Sequence, residues 1–359
     1  MWNYRKNAFT SNFKEVIDII EIDGSYLEGG GQIVRTATSL SAITQKPCRI
    51  FNIRANRPNP GLQAQHLYGL RALAKLCNAE LKGDKLGSKE IVFIPKKLKG
   101  GEVEVKIPTA GSTGLVFQIL SLPSAFCEKE VHIKITGGAT YGKFAPPMDY
   151  IELVLLRILE KMGYKCEIEI KKHGFYPKGG AQVEINIEPC KKFLPLELKE
   201  RGKFIKIKGI SVASEFLRKR KVAERQKQAV ENVLDKACDI EIIYDKTLNP
   251  GSGITLAIVC ENTILGANAI GEKGKTAEEV GKQAANEILT LLNTQACLDE
   301  HAADQVLPFI AIAGKGEITV SKITKHCLTN AWVIEKFLPI KFEFQGNLGE
   351  SGKIICYER

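Results

Sequence analysis

Two histidines in this chain stand where an imidazole can work as a nucleophile. His301 opens the segment HAADQ and His326 lies in KHCLTN, each at or just before an expected helix start near the C-terminus. The positive end of a helix disfavours imidazolium, so a ring nitrogen there stays unprotonated and nucleophilic near neutral pH. Position alone leaves a plain structural role open for both. His132 falls in the alternating strand VHIKIT and His173 in the turn-like HGFYPKGG, both structural settings, while His66 belongs to a cluster of polar residues.

That cluster is IRANRPNPGLQAQH, which places Arg54, Arg57, Gln65 and His66 in one strand-to-helix connection. Guanidinium forks suit bidentate contact with phosphate, and Pro60 suits the first turn of a helix, where no N–H partner is needed. With Arg35 from the preceding helix these arginines would form a phosphate clamp; the alternative is two solvated loop arginines. Three segments, LEGGGQ (27–32), TAGST (109–113) and HAADQ (301–305), open helices on small or amide-bearing residues. Free backbone N–H groups at such openings attract anions. One such turn is a weak signal that a plain cap would explain, but three in equivalent places point to a shared purpose. The chain has no GxxxxGK(S/T), no GxGxxG after a strand, no GxSxG and no HExxH, which removes the commonest nucleotide-fold, serine-hydrolase and zinc-protease readings.

The elements that must position these residues follow from hydrophobic period. A first pass gives a strand at 19–22, a helix at 32–44, a strand at 48–53, a helix at 60–77 and strands at 80–82 and 90–94. The same βαβαββ order recurs from residue 102, with helices at 112–125 and 147–162. Near the C-terminus a helix at 304–313, strand EITV, a helix at 327–337 and strands PIKFEF and GKIICYE repeat it without the first strand. FLPLELKE supplies that strand if residues 201–294 are an insertion. The insertion carries strand KFIKIKGI, a charged helix at 218–236, strand DIEIIY, the turn NPGSG, two further strands and a helix at 276–292. The expected fold is therefore α/β (α+β), three repeated βαβαββ units packed together with a small α/β domain inserted in the third. Residues 1–200 and 295–359 would form the large domain and 201–294 the inserted one.

Composition sets the outer limits. Hydrophobic residues are 44% and charged residues 26% of the 359, ordinary globular usage that excludes disordered and fibrous classes. No apolar run reaches the roughly 18 residues of a membrane span and the N-terminus lacks a signal-like stretch, so a cytoplasmic protein is expected. Lys and Arg number 51 against 41 Asp and Glu, a net +10 that favours a polyanionic partner, nucleic acid first. Ten scattered cysteines without a CxxC pair read as reduced core residues rather than zinc ligands or disulfides.

The ordered set DGSYLEGGGQIVR, IRANRPNPGLQAQH, PTAGSTGLVFQ, HGFYPKGG, HAADQ and KHCLTN resembles the RNA 3′-terminal phosphate cyclases from about residue 20 onward. The first nineteen residues look like an extension. The resemblance implies ATP-dependent conversion of an RNA 3′-phosphate to a 2′,3′-cyclic phosphate, with AMP carried covalently on His326. It assigns Gln118, His301, Ala302, Ala303, Asp304 and Gln305 to ATP, with Asp304 and Gln305 as the polar core of that stretch. It assigns Arg35, Arg54, Arg57 and Gln65 to phosphate or RNA, and Glu28 to a divalent metal, Mg or Mn. The loop GGATYGKF departs from the family's GGTN, and His301 stands where the family varies between His and Tyr. The cationic run Arg218, Lys219, Arg220, Lys221, Arg225 and Lys227 is either an RNA contact or a solvated helix face. Three rivals stand beside this reading. One is a cyclase-like RNA-binding or RNA-processing factor of ribosome assembly without cyclase activity, another an enolpyruvyl transferase, and the third a purely structural protein. Retention of His326 in its context argues against the first and chain length against the second. Monomer and homodimer both remain open.

Overall fold

The computed structural model describes residues 18–190, 192–235 and 237–359. Of the nineteen-residue extension, residues 1–17 lie outside this range, as does Lys236 at the end of the expected charged helix. The first unit comprises β1 (Ile20–Asp23), α1 (Gln32–Thr44), β2 (Cys48–Phe51), α2 (Ala64–Leu76), β3 (Glu80–Lys82) and β4 (Ile91–Ile94). The second comprises β5 (Gly101–Ser112), α3 (Thr113–Ala125), β6 (Val131–Ala139), a second helix, β7 (Cys166–Lys172) and β8 (Gln182–Ile187). Its second helix runs as α4 (Met148–Tyr150), a π turn (Ile151–Leu155) and α5 (Leu156–Glu160).

The third unit opens with β9 (Leu196–Leu198). It is then interrupted by β10 (Phe204–Ser214), α6 (Val222–Leu234), β11 (Asp239–Asp245), β12 (Ser252–Cys260), β13 (Ile264–Ile270) and α7 (Ala277–Asn293). It resumes with α8 (Glu300–Ile312), β14 (Gly316–Val320), α9 (Lys325–Phe337), β15 (Ile340–Gln345) and β16 (Gly352–Glu358).

All three units form the same sheet, first strand beside second, then fourth, then third: β1-β2-β4-β3, β5-β6-β8-β7 and β9-β14-β16-β15. The first two strands are parallel in each, a pairing that needs a crossover, and the first helix supplies it. Apolar residues hold the registers: Ile22 faces Ile50, Val105 faces Ile135, and Leu198 faces Ile318. Along β5, Val103, Val105 and Ile107 are buried while Glu102, Glu104 and Lys106 are exposed, so each sheet turns one face to water. The helices must then lie inside. Helix α3 shows this most plainly, for every residue except Gln118 is buried, as a helix apolar all round requires. One hydrophobic core joins Leu40, Leu120, Ile158, Leu307 and Ile334 from all three units.

The segment between β9 and α8 forms a fourth sheet, β11-β10-β12-β13, with α6 and α7 packed on each other and on the sheet. Ile207, Val230, Leu256 and Ile288 belong to a core cluster of its own.

Four helix starts differ from the sequence expectation. Helix α2 begins at Ala64, not near Pro60, because Gly61 takes φ +81 against the backbone of Gly87 and the Gln63–His66 capping box starts the helix after it. Helix α8 begins at Glu300 instead of Asp304, so HAADQ forms its first turns rather than a preceding loop; Asp299 caps it. Helix α9 begins two residues early, capped by Thr324. The charged helix at 218–236 is instead a 3-10 turn (Glu215–Arg220) broken from α6 by Lys221 at φ +50.

Candidate active site

First helices of one unit pack against second helices of another: α1 on α9, α3 on α2, and α8 on the π turn after α4. Each pairing sets one small-residue helix opening beside a second-helix N-terminus, giving three related junctions. The chemistry-bearing residues gather at the first, between α1 and α9.

Thr324 Oγ1 accepts the Cys327 N–H at 3.1 Å, which makes His326 the second residue of α9. Gln32 Nε2, at the start of α1, donates to the His326 carbonyl at 3.0 Å. Tyr26 stacks on Trp332 with ring centroids 4.0 Å apart, bringing the loop that carries Glu28 against α9. Glu28 Oε2 then lies 2.8 Å from His326 Nε2, and Asp304 Oδ2 lies 3.9 Å from Nδ1 on the other side of the ring. The short contact lacks hydrogen-bond alignment: Nε2 and Oε2 are both hidden from solvent and neither has a hydrogen-bond partner, nor has Gln32 Oε1 beside them. Unpartnered buried polar atoms cost stability and mark places where a ligand is expected to supply what the protein does not.

Asp304 is fixed from below. Asn330 Nδ2 donates to its carbonyl at 2.9 Å, and Thr36 Oγ1 donates to Asn330 Oδ1 at 2.8 Å, so α1, α8 and α9 are tied together. Burial pushes the Asp304 carboxyl up, an effect that His326, His301 and Arg35 partly offset. The ring of His326 lines a cleft of about 350 Å³ with Glu28, His301, Asp304, Lys322 and Lys325. A second cleft of about 260 Å³ shares Glu300, His301 and Lys322 with it and continues toward Gly266 and Glu287 of the inserted segment. Together they reach the size at which a nucleotide-sized ligand is held.

The arginines collect beside this cleft. Arg57 Nη2 is 3.6 Å from Glu28 Oε2 and lies against Gly30. Arg54, at φ +54, bonds the carbonyls of Asn59 and Gly61. Burial lowers Arg35 to about 10, partly countered by Asp304 and reinforced by Arg54. It remains a cation at neutral pH. Three guanidiniums this close repel one another, and an anion between them relieves that repulsion. His66 is buried beneath them; burial, then Arg35 and Arg54, hold its ring well below the usual range, so it is neutral. Its Nδ1 accepts the Gln63 N–H, and a Cβ at Gly31 would overlap its ring, which is why the α1 opening needs glycine there.

The remaining expected residues take these places. Gln118 Nε2 donates to Gln305 Oε1 at 2.7 Å, and Gln305 donates to the His301 carbonyl at 2.7 Å. His301 is exposed at the cleft rim, edge-on to Tyr150. Ala302 and Ala303 are fully buried in the common core, away from the cleft. Gln65 sits apart at the α2–α3 junction, beside Gly111. No group of three His, Cys, Asp or Glu side chains able to hold a metal by themselves occurs among the described residues. Glu28, with its unpartnered oxygen, fits as a single carboxylate ligand of a hard cation whose other ligands do not come from protein side chains. His132 pairs with Asn186 across its sheet.

Sequence reasoning missed Asp299, Lys322 and Lys325. Asp299 is 2% exposed and accepts from the N–H groups of His301 and Ala302, from Tyr150 Oη at 2.6 Å, and from Gly266 N at 2.8 Å. It joins the second unit, the inserted segment and the cleft. Its signal was an Asp just before an apolar helical run, the usual N-cap.

A family model described as RNA 3′-terminal phosphate cyclase matches residues 26–344. Curated proteins named RNA 3′-terminal phosphate cyclase are similar over nearly full length. That of Pyrococcus abyssi is 48% identical, covering 95% of this chain and 99% of its own. That of Pyrococcus furiosus is 47% identical, covering 94% and 98%, and that of Saccharolobus solfataricus 46% identical, covering 91% and 97%. With its three like sheets and the His326 cleft between α1 and α9, the chain belongs to the RNA 3′-terminal phosphate cyclase family.

Proposed function

We propose that the protein uses ATP to convert an RNA 3′-terminal phosphate into a 2′,3′-cyclic phosphate, through a covalent AMP on His326 and an RNA-adenylate. The observation that carries this reading is the His326 ring, which lines the cleft with an unpartnered Nε2 while a carboxylate stands on the Nδ1 side.

Glu28 covers Nε2, so its carboxylate turns aside when phosphate enters. Once it has left Nε2, Asp304 is the carboxylate that remains beside the ring and favours the tautomer with the proton on Nδ1, which leaves the Nε2 lone pair as nucleophile. Nε2 attacks the α-phosphorus of ATP, forming the N–P bond as the bond to pyrophosphate breaks. Asp304 steadies the positive charge that the ring then carries, and Arg35, Arg54 and Arg57 neutralise phosphate charge. A divalent metal held by Glu28 would supply further charge neutralisation at those phosphates. An oxygen of the RNA 3′-phosphate next attacks the same phosphorus, breaking the N–P bond and restoring the imidazole. The vicinal 2′-hydroxyl then attacks the 3′-phosphorus, loses its proton and expels AMP. Held beside the phosphorus, that hydroxyl reacts as an intramolecular nucleophile.

Among the described residues no helix is long and apolar enough to cross a membrane, and we place the enzyme in the cytoplasm with its ATP and RNA. The test is incubation with ATP labelled at the α-phosphate. Acid-labile, alkali-stable label is expected on the wild type and on His132→Ala, and none on His326→Ala. Label on the His326 variant moves the nucleophile elsewhere; no label on the wild type favours the cyclase-like factor without activity.

A further inference from the structure

The inserted sheet ends against the second unit in a surface that the cleft chemistry does not use. The C-terminal ends of β10, β11 and β13 and the start of β12 lie together at one end of the sheet. The loops leaving it meet the loops 140–147 and 173–180 of the second unit. Three large aromatic side chains stand out from this rim: Phe144 fully exposed, Tyr176 80% exposed and Phe216 65% exposed.

Buried polar groups fix the segments that carry them. Asn249, 7% exposed, donates to the Tyr176 carbonyl at 2.9 Å and accepts the Lys178 N–H at 3.2 Å. Thr247 donates to Ser214 Oγ at 2.7 Å, and Ser214 caps the 3-10 turn bearing Phe216. Lys143 pairs with Glu272 at 2.9 Å, tying the Phe144 loop to the segment after β13. Anchored loops hold these exposed rings in place, and apolar side chains grouped on one rim mark an interaction surface where singly scattered ones do not. The surroundings are cationic. Among the described residues, Lys178, Lys219, Arg220, Lys221, Lys246 and Lys273 have no carboxylate within ion-pair distance, whereas Arg218 and Arg225 are taken up by Glu215 and Glu278. Aromatic faces interleaved with unpaired cations bind single-stranded nucleic acid by stacking bases and tracking phosphates.

We propose that this rim holds the single-stranded body of the RNA whose 3′ end reacts at His326, an inference resting on RNA as the substrate. Phe144 lies six residues before Tyr150, whose hydroxyl bonds the Asp299 cap of the cleft helix, so the rim and the cleft share one scaffold.

The test is fluorescence anisotropy with a labelled twelve-nucleotide RNA and a labelled trinucleotide, both ending in a 3′-phosphate. Wild type should bind the longer RNA about tenfold or more tightly than the shorter one. Tyr176→Ala/Phe216→Ala and Lys219→Glu/Arg220→Glu should each remove that length advantage, with an unchanged thermal midpoint certifying the fold. The charge-reversed variant should also lower the salt slope by about 0.7 for each phosphate it no longer neutralises. Tyr176→Trp should keep the advantage, because a larger ring still stacks. A wild type without length preference, or variants that retain it, overturns the proposal. Failure of the cyclase reading looks different: wild type would bind the longer RNA, lose affinity in the variants, and leave the RNA end unchanged with ATP, which supports the rim.

Discussion

His326 and His173 show how differently one side-chain type is used. His326 is offered to a cleft between two carboxylates with a nitrogen left unbonded. His173 is 2% exposed, with Nδ1 at 2.7 Å from Asp245 of the inserted segment and Nε2 at 3.3 Å from Asp149 of the second unit. Burial alone would lower its pKa, but the two carboxylates outweigh that and raise it to about 9. A raised folded-state pKa contributes stability that is complete below the unfolded value near 6.5 and is lost as pH rises through about 9. The thermal midpoint of wild type should therefore fall between these pH values, by an amount equivalent to at most about 3 kcal/mol. Asp245→Asn should flatten that decline. An equal slope in the variant would mean that His173 does not carry the charge assigned to it.

Helix starts are the elements on which the site depends: those of α2, α8 and α9 are set by caps, while α1 opens on Gly31 with no side-chain cap. Asp299 is the most connected: it caps α8, accepts the Tyr150 hydroxyl and holds Gly266 of β13. Removing it loses a cap, worth about 1 kcal/mol, and strands a buried phenol, worth roughly 1–3 kcal/mol more. Asp299→Ala should therefore cost about 2–4 kcal/mol in denaturant unfolding and misplace His301 and Asp304. A loss below about 1 kcal/mol would show that the tie to the second unit is dispensable.

The whole molecule divides its hydrophobic interior unevenly. One core runs through all three repeated units, so none of them could bury its helices alone, whereas the inserted segment has a sheet, two helices and a cluster of its own. We propose that residues 201–294 form a separate domain, joined to the second unit through polar contacts such as His173 with Asp245 and through an apolar cluster of Tyr141 and Phe175 with Ile210 and Val212, while Ala257 and Ile264 reach into the common core. Expressed alone, this fragment should unfold in one cooperative transition followed by circular dichroism. A non-cooperative fragment would make it an arm of the large domain.

Hydrophobic period determined the three units, their element order and the insertion, because alternating and helical patterns are written locally in strands such as EVEVKI and in helix α3. The residues of chemical interest were also readable, since Arg54, Arg57 and His326 stand out by type and setting. Chain order could not say that α1 would lie on α9, which brings Glu28 to His326 across nearly three hundred residues, or that Gln65 would sit at another junction. It could not separate Asp304, at the cleft, from Ala302 and Ala303, in the core, because that depends on which face of α8 meets the common interior. Those outcomes belong to the packing of three apolar helix pairs around one core, a property of the assembled chain that no single segment encodes.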